Sequence, residues 1–124
     1  MKALEWTLRI ALFGEFLGHG IFAYRAVPHF QELMAGSLGV STETAANILP
    51  IIGIIDFGIA ILALVYPMRA VLVYAALWGL LTGLSRPISG NEIWDFVERW
   101  PNWGVPLGLL LVRGWPKQVR DWFR

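Results

Sequence analysis

Residues 45–66 carry a single charged side chain, Asp56, inside an otherwise apolar run. That run is of bilayer-spanning length, since about 20 helical residues cover the roughly 30 Å of hydrocarbon. Three other stretches share its character: residues 4–24, 68–84 and 101–113. Composition agrees. Hydrophobic residues are 56% and charged residues 15% of the 124, against roughly 45–50% and about 25% in soluble domains. The expectation is one membrane domain: an all-α bundle of four transmembrane helices, with short interfacial helices in its loops and an interfacial tail at residues 115–124. The last span reaches full length only if Pro101 is tolerated or the helix is short and pinned at its ends. The opening MKALEWTLRIALFGEF has no small-residue cleavage site and reads as a retained helix.

Net charge is +1, which gives no footprint for nucleic acid. Cysteine is absent, which excludes disulfides and thiol chemistry. No nucleophile–base–orienter set or phosphate loop is visible, so nothing in the sequence names a reaction.

The first segment contains FGEFLGHG, with Glu15 and His19 one helical turn apart. At 3.6 residues per turn, Glu5, Arg9, Glu15 and His19 share a sector of roughly 120°, with Glu5/Arg9 and Glu15/His19 as i,i+4 pairs. Ionisable groups at membrane depth turn inward and mark ion, proton or ligand sites. Asp56 would pair with Arg9, Arg86 or His19, or bind a ligand; Arg86 would otherwise snorkel at its helix end. Glu15, His19, Asp56 and Arg86 are the candidate cofactor-binding set. A quinone carbonyl bonded to Glu15 or His19, with Phe13, Phe16 and Phe22 around the ring, is one reading; a structural hydrogen bond between helices is the plainer one. Haem fits less well. The only other histidine, His29, is ten residues on, about 15 Å along a helix, and no set of metal ligands has the right spacing.

Gly14/Gly18, Gly79/Gly83 and Gly104/Gly108 form three GxxxG pairs. Such pairs let helices approach closely, within the bundle or against another subunit. In the loops, Pro28 opens a short helix that Gly36 and Gly39 would end, with Phe30, Leu33 and Met34 on one side. Ser41 or Thr42 suits the N-cap of the second span. Asn91 would cap a helix bearing Glu92, Asp95 and Glu98, a solvated acidic face or a site for a cation or basic partner. Trp94, Trp100 and Trp103 read as an interfacial belt. With four spans, Lys2, Arg9, Arg69, Arg113, Lys117, Arg120 and Arg124 lie on one side and Arg25, Arg86 and Arg99 on the other. The positive-inside rule then places both termini in the cytoplasm, at a bacterial inner membrane.

Three segments resemble the DoxX-like family of small four-helix membrane proteins: GEFLGHGIFA, GIIDFG and ERWPNWGVPLGLL. The resemblance is general across the chain and implies the four-helix fold more strongly than a reaction. Some members are named for a membrane subunit of a thiosulfate:quinone oxidoreductase. Members often carry Glu where this chain has Asp56 and usually lack a histidine at position 19, so the likeness leaves His19 without a role. Two functions follow. One is a small subunit that packs against a larger membrane complex, or a second copy of itself, without catalysis. The other is a redox-linked protein that binds a quinone near Glu15, His19 and Asp56.

Overall fold

The computed structural model describes residues 1–124 as an all-helical chain. Its elements are α1 (Lys2–Tyr24), α2 (Pro28–Leu38), α3 (Thr42–Val65), α4 (Arg69–Ile88), α5 (Ile93–Val97) and α6 (Pro101–Arg113), followed by a 3-10 turn at Val119–Phe123. α3 and α4 are long and apolar enough to cross a membrane. α1 has comparable length but carries Lys2, Glu5, Arg9 and Glu15. α6 matches the expected fourth segment; its 13 residues rise about 20 Å, short of a full hydrocarbon layer.

Local chemistry explains most helix ends. Pro28 and Pro101 occupy first turns, where a missing N–H costs nothing. The Ser41 hydroxyl accepts the Thr44 N–H at 3.1 Å and caps α3. Gly39, at φ +70°, closes α2 in the left-handed region, so Gly36 does not end that helix. Two expectations are corrected. α4 runs past Ser85–Pro87 to Ile88 because the backbone ladder resumes beyond Pro87: the Ser89 N–H bonds the Ser85 carbonyl at 3.0 Å, with Ser89 Oγ on the same oxygen at 2.6 Å, and Ser85 Oγ donates to the Thr82 carbonyl at 2.5 Å. Asn91 does not cap α5; Glu92 sits at that N-cap without a side-chain bond, and the Asn91 amide donates to Asp95 Oδ2 at 3.3 Å.

Pairing does not follow chain order. α1 lies along α3, α4 along α6, and α1 touches α6; the consecutive α3 and α4 make little contact. Leu12 and Phe16 of α1, Ile59, Ala60 and Ala63 of α3, Leu72 and Ala75 of α4, and Leu109 and Leu110 of α6 form the core. These α3 and α4 residues lie near the turn joining the two helices. Beyond them α3 and α4 part, and α2 packs against both across the seam.

Glycines decide how closely these pairs approach, and not by the GxxxG pattern. A methyl group on Gly53 would lie 2.6 Å from the Tyr24 nitrogen and 2.7 Å from the Gly20 carbonyl oxygen, so α1 and α3 cross backbone to backbone. At Gly79 it would lie 2.1 Å from the Asn102 carbonyl oxygen. Pro106, inside α6, lacks the N–H that would bond that carbonyl, and α4 meets the freed oxygen with its smallest residue. Gly83 abuts the Phe96 ring. Gly14, Gly18 and Gly104 face open space and Gly108 only grazes Leu8. Of the three GxxxG pairs, only Gly79/Gly83 packs within this chain.

Candidate functional site

The parting of α3 and α4 leaves a cavity of about 310 Å³. α2 walls it with Phe30, Leu33 and Met34, α3 with Leu49 and Ile52, and α4 with Trp78 and Leu81. Its polar groups are His19 from α1, Asp56 from α3, and Thr82, Ser85 and Arg86 from α4, with Ser37 from α2. Three of the four residues singled out in the sequence, His19, Asp56 and Arg86, therefore share one wall-to-wall space. Glu15 does not line it, although it lies within electrostatic reach of Asp56.

The close α1–α3 crossing sets the inner end. The Gly20 methyl position is 3.2 Å from Asp56 Cβ, so Asp56 stands against the α1 backbone beside His19. Asp56 is 2% exposed, and its Oδ1 is buried without a hydrogen-bond partner. The expected pairing with Arg9, Arg86 or His19 is not made. Arg9 is drawn away by the C-terminal carbonyls of α3: its Nε donates to Ala63 O at 3.1 Å and its Nη2 to Leu64 O, while the guanidinium stacks over the Trp6 ring at 3.9 Å. Glu5, the supposed partner of Arg9, pairs with Arg113 at 3.0 Å and ties α1 to α6. Glu15 and His19 share no hydrogen bond either; the His19 ring lies 5.8 Å from that of Phe30.

Arg86 sets the outer end. It is 3% exposed, and Nη1 reaches His29 Nε2 at 2.9 Å and Asp95 Oδ2 at 3.9 Å. Its Nε is buried without a partner. Arg86 thus joins α2, α4 and α5 and does not snorkel. Asp95 also pairs with Arg99 at 3.6 Å and Glu98 with Arg99 at 3.1 Å, so two of the three loop acids are tied into the arginines. The cavity hydroxyls are engaged. Ser37 Oγ reaches the Ser85 carbonyl at 3.3 Å and Ser89 Oγ at 3.2 Å, and Thr82 Oγ1 donates to the Gly79 carbonyl at 3.2 Å. The polar capacity left over belongs to Asp56, His19 and the Arg86 Nε.

The aromatic surroundings differ from expectation. Phe16 is in the core, Phe13 packs against it, and Phe22, half exposed, sits edge-on to the Phe30 ring at 6.0 Å without lining the cavity. The rings on the cavity are Phe30 and Trp78. His29, Phe30 and Trp78 were not singled out as site residues. The one signal for His29 was its place beside Pro28, on the first turn of a helix. Chemically, the space can hold a small apolar body and offer it a carboxyl group, an imidazole and one guanidinium N–H. It gathers no group of three metal-ligating side chains.

Comparison with protein-family models, curated proteins and solved structures gives no match.

Proposed function

We propose that the chain crosses the membrane four times and holds a small, largely apolar molecule in the seam between α3 and α4. The observation that carries this reading is the α2-covered cavity, with an unpartnered buried oxygen of Asp56 on its wall. An apolar chamber with a few convergent polar groups is the common form of a ligand site. Four spans are supported by an inverted surface. Only 22 of 124 residues are buried, while Ile10, Ile51, Ile54, Ile61, Leu77 and Leu111 face outward; that suits lipid and would be costly in water. Helices α1 and α6 would cross as partners of α3 and α4, with polar residues turned to neighbours. The DoxX-like resemblance agrees with this arrangement. Quinones are the redox-active members of the ligand class that fits. Haem gains no support, because His29 Nε2 faces Arg86 and leaves His19 as a single imidazole on the cavity.

The test is titration of the detergent-solubilised protein with 1,4-naphthoquinone and with naphthalene, read by calorimetry. Saturable one-to-one binding, at about micromolar Kd, that Ile52→Trp abolishes by filling the chamber is the expected result. Binding that does not saturate, or that ignores Ile52→Trp, would sink the reading.

A second reading, a non-catalytic subunit of a larger membrane assembly, is favoured by one specific observation. Gly14 and Gly18 leave an unfilled notch on α1, and Gly58 another on α3. Small residues there suit the close approach of another helix. On this reading Gly14→Leu with Gly18→Leu removes a partner from the complex on a native gel, and an unchanged band argues against it.

A further inference from the structure

We infer that the molecule held in the α3/α4 cavity is a lipophilic amine, bound with its ammonium group on Asp56. The inference rests on the proposed ligand-binding reading and adds the charge of the head group. It starts from a charge census of the helices. Arg9 is spent on the carbonyls ending α3, Arg113 on Glu5, and Arg86 on His29 and Asp95. Glu15 and Asp56 are left inside the bundle with no arginine or lysine bonded to either, and His19, on the same cavity as Asp56, makes no hydrogen bond to them. Of the two, only Asp56 opens on the cavity, and it is the one with a buried, unpartnered oxygen.

A buried carboxyl group stays ionised only with a hydrogen-bonded counter-charge and otherwise takes up a proton. A ligand ammonium supplies both the charge and the donor. The remaining surroundings suit the rest of such a molecule. Phe30 and Trp78 supply aromatic lining beside which a cation or an aromatic body can sit, and Leu33, Ile52 and Leu81 supply the apolar lining. Arg86 is seven residues beyond Gly79 on α4, toward the opposite end of the cavity. Its guanidinium is held there by His29 and Asp95, and the Asp95 carboxylate offsets part of the charge that a cation beside Gly20 and Asp56 would meet. A carboxylate head, by contrast, would meet Asp56 as a like charge, and a quinone carbonyl would take its donor from His19 or the Arg86 Nε and gain nothing from an ionised Asp56.

Three probes sharing one ring system separate these cases: 1-naphthylmethylamine, 1-naphthalenemethanol and 1-naphthoate, titrated into the full chain in an uncharged detergent. The expected result is that the amine binds at least ~10-fold more tightly than the alcohol, since charge-assisted hydrogen bonds are roughly twice as strong as neutral ones. Asp56→Asn should erase that advantage while leaving alcohol binding in place, which also shows that the cavity of the variant is intact. Equal binding of amine and alcohol, or tightest binding of the carboxylate, overturns the inference and leaves the ligand-binding reading standing. No saturable binding of any probe overturns both. The amine-to-alcohol comparison in the unaltered chain needs no variant to fold.

Discussion

At the residue scale, the informative contrast is between glycines that look alike in sequence. Gly79 and Gly14 both begin a GxxxG pair, yet only Gly79 has a backbone oxygen where a methyl group would go. Gly79→Ala should therefore lower the melting temperature in detergent, with overpacking costing about 1–3 kcal/mol. Gly53→Ala, wedged against Tyr24 and Gly20, should behave the same way. Gly14→Ala should be neutral or stabilising by up to about 1 kcal/mol, as expected for an unobstructed helical glycine. A drop for Gly14→Ala equal to that for Gly79→Ala would contradict the packing described. The spacing itself could not separate these cases, because it reports a helix face and not what lies across from it. The freed Asn102 carbonyl follows from Pro106, but its meeting with Gly79 is tertiary. The polar candidates were easier to see. A charge in an apolar run stands out in one dimension, and so His19, Asp56 and Arg86 were legible. Their partners were not, since Arg9 and Glu5 lie at good i,i+4 spacing and still bond elsewhere.

At the element scale, α2 and the tail are the pieces held by a few identifiable bonds. α2 rests on α4 through Ser37, Ser89 and the His29–Arg86 contact. Its ends use left-handed backbone at Gly39 (φ +70°) and, with a side chain, at Ala26 (φ 48°). Gly39→Ala should cost about 1–2 kcal/mol, and Ala26→Gly should recover stability; both are read from thermal unfolding. The start of α2 was legible from Pro28. Its role as a cavity wall was not, because an apolar face on a loop helix suits the membrane interface equally well. The tail folds back on Arg69, whose Nε donates to the Gly114 carbonyl at 2.6 Å, with Nη2 reaching Arg113 O and Nη1 reaching Arg124 O at 3.1 Å. Arg69→Ala should speed amide exchange and proteolysis across residues 115–124 while α3 keeps its protection. Within the tail, the Lys117 and Gln118 N–H groups hold the Asp121 carboxyl below the usual carboxylate range. A depressed value stabilises the turn above the ordinary carboxylate pKa, and that stabilisation disappears as pH falls through the lowered one. Asp121→Asn should remove this acid sensitivity of tail exchange.

At the scale of the whole molecule, the core sits where all four long helices meet, and the cavity sits where α3 and α4 part. The all-helical class and the two helices long and apolar enough to cross a membrane, α3 and α4, were legible from composition and run length. The open seam was not. Consecutive helices joined by a short turn usually pack side by side, and here α3 is taken up by α1 and α4 by α6. The proposed four spans have a direct check, since the chain has no cysteine to interfere. Single cysteines at Ser41 and Asn91 should react with an impermeant maleimide from one side of the membrane, and those at Lys2 and Gln118 from the other. The central claim, that the seam is a ligand chamber, is tested most directly by photolabelling the protein in lipid with a small aromatic diazirine carrying an amine, then mapping the adducts by mass spectrometry. The account predicts adducts on Phe30, Ile52, Trp78 and Leu81, competed away by the unlabelled amine. Adducts confined to outward residues such as Ile10, Ile61 and Leu111, unaffected by competitor, would contradict it.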